Sequence, residues 1–572
     1  MLPRPEHPRP DLYRKDWLNL NGYWDFRFDF GKSGIEEDAP KGLGFDRKIT
    51  VPFAPESELS GIAYTGFIPS VWYKRMIDIP KKYQDHRVIL HFGAVDYYTS
   101  VFINSYLVGE HRGGYTPFQI DITDYLLDGD NLLVVGVNDD NRSGLQPRGK
   151  QAQTLYSSGC DYTRVTGIWQ TVWLEFVSPN YIDELRIIPD WHNCQVIISG
   201  LVRKNNQNRN GKIAVEVSYD NEIVGEGSQL TNWGRFYLPV SLNRKVSWEI
   251  GQGSLYTAKL YYEDDSGSKD FLQTYFGLRA IEIDGNKILL NGRTIFQRLV
   301  LDQGYYPDGI YTAREDVLLK KDIEMAQLLG FNGARMHQKV FEPRYLYYAD
   351  KLGYLTWAEF GSWGLKLNQG EAWKNIIPQW GEVIKRDLNH PSIITWCPLN
   401  ETEKDQDKEL LETLYQVSHD LDGTRPVIDT SGYIHVKTDI YDTHDYIQAI
   451  GNFRARYKQE DLPVVLSDLE KYTNQPYIVS EYGGIWWNRE NQENNWGYGQ
   501  RPQSEEEFME RFRGLTQTLL NSLKVSGFCY TQLYDVEQET NGLLSYNRKP
   551  KFALETINGI ITQKAAIEKK ES

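Results

Sequence analysis

Short apolar runs with alternating polar positions fill the first half of the chain. Between residues 12 and 178, turn-forming dipeptides such as Asp128–Gly129 separate these runs, and helical spacing of apolar residues is absent. Period-two patterning with such turns is typical of antiparallel strands. We therefore predict a β-sandwich of jelly-roll type over residues 1–178. Residues 179–277 continue the pattern over the length of an immunoglobulin-like β-sandwich, which we interpret as a spacer.

The pattern changes after residue 277, where short apolar strands alternate with amphipathic helices. Thr312–Glu315 has the sequence of a helix capping box, and Ser504–Glu507 opens a second predicted helix in the same way. Alternating strands and helices predict a (β/α)₈ TIM barrel over residues 278–572. The eight predicted strands are Ile295–Leu301, Asn332–His337, Leu355–Phe360, Ile393–Asn400, Pro426–Asp429, Asp439–Thr443, Tyr477–Glu481 and Gly527–Gln532.

Two glutamates stand at the ends of predicted barrel strands. Glu401 directly follows the fourth strand and Glu481 ends the seventh. Parallel barrels carry their chemistry at the carboxyl ends of the strands, so these side chains form a candidate carboxylate pair. Such a pair can cleave a glycosidic bond: one carboxyl protonates the leaving oxygen and the other attacks from about 5–5.5 Å away, with retention of configuration.

The two carboxyl groups need different surroundings. The nucleophile must stay ionised, and Arg335, at the end of the second predicted strand, is the best candidate for a cation beside it. The acid must keep its proton near neutral pH, which a less polar site and a negative neighbour both favour.

Composition narrows the function classes. The 572 residues are enough for about three domains, and a net charge of −15 argues against nucleic acid and anionic membranes as partners. The 16 Trp and 38 Tyr offer flat faces on which sugars stack. The four cysteines are scattered without metal-ligand spacing, and apolar stretches of membrane-spanning length are absent. We therefore predict a cytoplasmic protein without a metal or other cofactor.

Seven segments of the chain carry a resemblance through their order and spacing: Asn21–Trp24, Val71–Arg75, Gly167–Gln170, Gly330–His337, Asp350–Gly353, Asn400–Glu401 and Ser480–Gly484. Together they resemble the family 2 glycoside hydrolases, the family of bacterial β-galactosidase, β-glucuronidase and β-mannosidase. The resemblance covers nearly the whole chain and implies the same order of three domains.

The resemblance implies a retaining exo-glycosidase acting on terminal residues of a glycoside or oligosaccharide. Glu401 would be the general acid/base and Glu481 the nucleophile. Asn400 would hold the sugar 2-hydroxyl, Arg335 would orient Glu481, and His337 would line the pocket. Further candidate substrate-binding residues are Asp302, Gln303, Trp357, His444, Asp445, Tyr446, Trp486 and Tyr530.

Two positions bear on the substrate. Asn541–Leu543 carries leucine where the family's glucuronidases place a carboxylate-binding lysine, which argues against a glucuronide. Tyr530 stands where many members place a tryptophan under the sugar. We rank a β-galactoside first and a furanoside (β-galactofuranoside or α-L-arabinofuranoside) second. Transglycosylation shares the same residues, whereas a non-catalytic carbohydrate-binding protein has no need of both glutamates; a homo-oligomer is left open.

Overall fold

The first part of the chain forms two antiparallel sheets that enclose one apolar core. The computed structural model describes residues 2–203, 211–265, 267–402, 404–458, 462–463, 471–488 and 495–571. The sheets have the strand orders β1-β12-β5-β9 and β3-β2-β4-β10-β7-β8. The strands are β1 Trp17–Asn19, β2 Gly22–Phe28, β3 Arg47–Val51, β4 Ser70–Asp78, β5 Arg87–Phe92, β6 Val95–Asp96, β7 Tyr98–Ile103, β8 Tyr106–Arg112, β9 Phe118–Asp121, β10 Asp130–Asn138, β11 Gly167–Ile168 and β12 Val172–Val177.

A second sandwich follows, with sheet orders β13-β14-β17 and β16-β15-β18-β19. In β17 the side chains of Phe236, Leu238 and Val240 are buried and those between them are exposed, so the alternating pattern in the sequence selects the inward face. The strands are β13 Tyr181–Asp190, β14 Gln195–Arg203, β15 Gly211–Tyr219, β16 Glu222–Leu230, β17 Arg235–Ser241, β18 Tyr256–Asp264 and β19 Lys269–Phe276.

The last part contains a three-stranded hairpin sheet and a parallel barrel of order β26-β25-β24-β23-β29-β28-β27. The predicted multidomain fold class is confirmed. The strands are β20 Ile281–Asp284, β21 Lys287–Leu290, β22 Arg293–Ile295, β23 Gln297–Asp302, β24 Gly333–Met336, β25 Leu355–Glu359, β26 Ile393–Cys397, β27 Tyr441–Asp445, β28 Tyr477–Gly483 and β29 Val525–Thr531. The helices are α1 Asp316–Leu328, α2 Pro343–Leu352, α3 Gly370–Asp387, α4 Lys408–Leu421, α5 Ile450–Lys458, α6 Glu505–Leu520 and α7 Leu554–Ile561. No helix within the described ranges has the length and apolar character needed to cross a membrane.

The predicted fifth barrel strand is irregular. Val427 and Ser431 form only isolated bridges, to Trp396 and Asn400. Proline lacks an N–H group, so Pro426 cannot donate to a neighbouring strand. The Val427 N–H donates to the Asp439 carboxylate and not to a backbone carbonyl. The barrel is therefore closed here by side chains as well as by backbone.

One of the two predicted helix starts is wrong. The N-cap of α1 is Glu315, three residues after the expected cap Thr312, because the Thr312 hydroxyl donates to the Trp169 carbonyl of the first sandwich, 2.5 Å away. The start of α6 is confirmed, since Ser504 Oγ accepts from the Glu507 N–H at 3.3 Å.

A buried histidine fastens the irregular segment to β27. His435 Nδ1 lies 2.8 Å from Asp429 Oδ1, and its Nε2 lies 3.0 Å from the Asp442 carbonyl oxygen. Burial opposes the imidazolium charge, but the carboxylates of Asp429 and Asp442 outweigh it and raise the pKa of His435 to about 10.

We expect His435→Gln to lower the free energy of unfolding by about 3–5 kcal/mol at pH 6, because a buried carboxylate loses its counter-charge. The pKa of His435 is raised above its ordinary value of 6.5. The stabilisation is therefore complete below pH 6.5 and is lost as pH rises through about 10. Urea unfolding at several pH values measures this, with the exposed His192→Gln as control. An equal deficit at pH 6 and pH 10 would contradict the ion-pair account.

Candidate active site

The structure brings the predicted carboxylate pair together. Glu481 lies on β28 and is buried. Glu401 follows β26 with a φ of 52°, and its N–H donates to the Ser431 carbonyl at 2.8 Å. One carboxylate oxygen from each glutamate and one ring nitrogen of His444 all lie within 4.8 Å of one another. The two carboxyl groups therefore share one site at the mouth of the barrel.

Arg335, on β24, donates hydrogen bonds to three side chains at this site. Its guanidinium is fully buried and donates through Nη1 to Glu481 Oε1 at 2.8 Å, through Nε to Glu359 Oε2 at 2.5 Å, and through Nη2 to Asn400 Oδ1 at 2.6 Å. The Asn400 amide nitrogen is buried without a hydrogen-bond partner in the described structure. The fixed amide can therefore donate to a bound ligand.

His444 lies between the two glutamates. Its Nδ1 is 2.8 Å from Glu401 Oε1, and its Nε2 is 3.3 Å from Glu481 Oε1. Burial opposes protonation, but the Glu481 charge and the hydrogen bond with Glu401 raise the pKa of His444.

The two carboxyl groups titrate low. Burial alone would raise the pKa of each, but His444 and Arg335 outweigh burial and lower both. The expectation that the surroundings keep a proton on Glu401 is therefore not met, because the contact with His444 and the nearby cations lower the pKa of Glu401 more than burial raises it. His444 Nδ1 and Glu401 Oε1, 2.8 Å apart, can share a proton.

Tyr446 completes the contacts of Glu481. Its hydroxyl donates to Glu481 Oε2 and lies 3.2 Å from Thr531 Oγ1. Its ring stacks on Tyr498 with centroids 3.5 Å apart and an interplanar angle of 2°. Stacking fixes the ring and therefore the position of its hydroxyl. Arg335 donates to Glu481 Oε1 and Tyr446 to Oε2, so both oxygens accept hydrogen bonds.

The cluster of Glu401, His444 and Glu481 also has the donor types of a metal site. The atoms that would bind a metal already contact protein groups, since Arg335 donates to Glu481 and the imidazole binds Glu401. A bound cation would have to displace these contacts, and the arrangement fits proton transfer better.

Asp302 and Gln303 were predicted to hold sugar hydroxyls. The structure commits both Asp302 oxygens to protein groups, whereas Gln303 Oε1 is buried without a hydrogen-bond partner in the described structure. Asp302 Oδ1 accepts from the Tyr534 hydroxyl and Oδ2 from the Tyr345 hydroxyl, at 3.1 Å. Gln303 Nε2 donates to Gln532 Oε1 at 2.9 Å. Asp302 is therefore unavailable to a sugar hydroxyl, whereas Gln303 stays a candidate through its amide oxygen.

The Asp445 carboxylate is also tied to protein groups, whereas the buried Nδ1 of His337 has no hydrogen bond in the described structure. The Asp445 carboxylate faces α5, where the Tyr457 hydroxyl and Arg456 Nε each lie 3.1 Å from it, so its predicted contact with sugar is wrong. His337 is buried with Nδ1 3.0 Å from Glu359 Oε1, but the two atoms form no hydrogen bond. Burial, aided by nearby cations, lowers its pKa, so the ring is neutral.

Of the three predicted aromatic platforms, two are core residues and one stays a candidate. Trp357 is fully buried in the barrel interior and donates to Gln297 Oε1 at 2.7 Å, so it is core and not platform. Tyr530 is buried against Phe512 of α6, with ring centroids 5.0 Å apart, and is also wrong as a platform. Trp486 is half-buried and stays a candidate; its indole N–H has no partner in the described structure.

Two residues near the pair escaped the sequence analysis. Glu359, at the end of β25, had the same strand-end signal as the chosen glutamates. Lys150 comes from the first sandwich, and its charge lowers the pKa of Glu401. No periodicity in the sequence connects Lys150 to the barrel, so only the packing of the domains could reveal it.

The chain matches two sequence models of one family. Residues 59–177 match the sugar binding domain of "Glycosyl hydrolases family 2", and residues 281–564 match its TIM barrel domain. The β-galactosidase of Thermoanaerobacter pseudethanolicus is 26% identical over 497 residues, which cover 82% of this chain and 61% of that protein. The β-glucuronidase of Streptococcus agalactiae is 23% identical over 520 residues, 82% of each chain.

A solved β-glucuronidase from Ruminococcus gnavus has the same fold, with a TM-score of 0.80, 20% identity and coverage of 98% of this chain and 100% of that one. Among the sequence relatives, the chain spans about three fifths of the length of the β-galactosidases it matches. The two matched family ranges cover more than two thirds of the sequence. The chain belongs to the glycosyl hydrolases family 2.

Proposed function

We propose that this protein is a retaining glycosidase that hydrolyses terminal, uncharged glycosides. The observation that carries the proposal is that oxygens of Glu401 and Glu481 lie within 4.8 Å of each other. Direct attack by a carboxylate needs about 5–5.5 Å between the carboxyl groups, whereas an inverting enzyme leaves roughly 6.5–9.5 Å for a water molecule. The distance between the nearest oxygens therefore favours the shorter separation of a retaining enzyme.

In the first step Glu481 attacks the anomeric carbon while the leaving oxygen takes a proton from Glu401. Arg335 and Tyr446 hold Glu481 ionised and aimed. The proton comes from the Glu401–His444 pair, whose short contact keeps it near the leaving group. In the second step the Glu401 carboxylate removes a proton from water, which attacks the glycosyl ester and frees Glu481.

Three positions support an uncharged sugar. Leu543, at the position where the family's glucuronidases place a uronate-binding lysine, is buried in the core. Arg548 is committed to Asp322 and to the Tyr305 carbonyl oxygen, and Lys549 is exposed. A β-galactoside therefore remains the first-ranked substrate. A furanoside stays second, favoured by the absence of an aromatic platform on the fully described strand β29.

The stereochemical course tests the proposal. We expect the first product released from a nitrophenyl glycoside to have the anomeric configuration of the substrate, because two displacements at one carbon restore it. Proton NMR in the first minutes, before mutarotation, measures this. An inverted first product would remove Glu481 from the attacking role.

A further inference from the structure

Lys150 is a buried cation without a hydrogen-bonding partner. The residue is 6% exposed, and no hydrogen bond or ion pair of its ammonium exists within the described structure. Its Nζ lies 4.0 Å from the ring centroid of Trp363. Buried lysines are nearly always paired, so three unused N–H donors at this place point to a partner that comes from outside the chain.

The backbone around Lys150 is built to bring it to the barrel. The Arg148 N–H donates to the Trp363 carbonyl at 2.7 Å, and the Gly149 N–H donates to the Gly361 carbonyl at 3.0 Å. Gly149 has a φ of 57°, and a Cβ there would lie 2.2 Å from the Gln338 carbonyl oxygen. Only glycine allows this approach, so the sandwich segment is fixed against the loop that follows β25.

The charges around Lys150 indicate what it can bind. Burial disfavours its charge, but Cys160 and the carboxylates of Glu539, Glu481 and Glu401 raise the pKa of Lys150, so the ammonium keeps its proton. These three carboxylates would repel an anionic substituent on the sugar. A neutral hydroxyl oxygen can accept from the ammonium without that penalty.

We propose that Lys150 is a substrate-binding residue contributed by the first sandwich, whose ammonium donates to one hydroxyl oxygen of an uncharged sugar bound at the Glu401–Glu481 pair. This rests on the proposed function for the place where the sugar binds. The contact would make sugar selection depend on the docking of the sandwich against the barrel.

Binding to the full-length Glu481→Gln chain tests this independently of turnover. The probes are 4-nitrophenyl β-D-galactoside, its 2-, 3-, 4- and 6-deoxy analogues, and the matching galacturonide. We expect Lys150→Met to weaken binding of the parent about 10- to 100-fold, the value of a hydrogen bond from a charged donor. The loss should fall to within about threefold for the one analogue that lacks the contacted hydroxyl.

Lys150→Arg keeps the charge with a different shape and is expected to lose the same selectivity, and Lys549→Met is the matched surface control. Thermal unfolding of each variant checks that the fold is intact. An equal loss on all probes, or tighter binding of the galacturonide that Lys150→Met abolishes, would overturn the proposal. Selective loss in binding together with an inactive wild-type chain would instead refute the glycosidase function alone.

Discussion

Replacing Glu481 by glutamine is expected to lower kcat by at least about 10⁴-fold on every glycoside that the wild-type chain hydrolyses. A positioned nucleophile supplies an effective molarity of about 10⁵ M or more, and the neutral amide cannot replace it. The substitution keeps the size of the side chain: the amide oxygen can still accept from Arg335, and the amide nitrogen would face the Tyr446 hydroxyl. Single-turnover measurements with nitrophenyl glycosides give the rate of the first step.

Glu506, on α6, is exposed, and Glu506→Gln serves as the control because it makes the same exchange of glutamate for glutamine away from the site. Binding of substrate by the Glu481→Gln chain must persist, since only the attack is removed. Wild-type rates in this variant on any substrate would show that another group attacks the anomeric carbon.

The barrel and its carboxylate pair could be predicted because both depend on local patterns. Apolar runs place Glu401 and Glu481 at strand ends, and parallel strands bring all such ends to one edge of the barrel. Arg335 followed from the same rule, and its contact with Glu481 is observed at 2.8 Å. Information within ten residues of each side chain was enough.

Side-chain direction was harder to predict. Successive residues of a strand face opposite sides, so an error of one position moves a side chain from the site to the core. Tyr530 packs against the helices, whereas the next residue, Thr531, reaches Tyr446 beside Glu481. Trp357 differs from Tyr530 in that it faces the barrel interior, two residues before Glu359 at the end of β25. The sequence does not mark which of two neighbours faces the mouth.

Contacts between domains were beyond the sequence. The backbone beside Lys150 lies against the barrel loop at Gln338 only because residue 149 is a glycine. His444, although chosen, was expected to hold sugar and instead contacts both glutamates. That contact reverses the expected pKa direction of Glu401, which depends on distances of a few ångströms.

The leaving group should decide how strongly Glu401→Ala impairs the enzyme. General acid catalysis is worth about 10²–10⁴-fold when the leaving oxygen needs a proton. We therefore expect losses of that size in kcat/KM on an alkyl glycoside. A dinitrophenyl glycoside should lose less than about tenfold, because its leaving oxygen is a weak base that departs without protonation.

The same variant should then stall after the first step, because no carboxylate remains to activate water against the glycosyl ester. Azide needs no such activation and carries little bulk, so it should restore turnover and yield a glycosyl azide with the configuration of the substrate. Steady-state rates with and without azide, with NMR of the product, measure both effects. A uniform loss across leaving groups without azide rescue would mean that Glu401 supports the structure and transfers no proton.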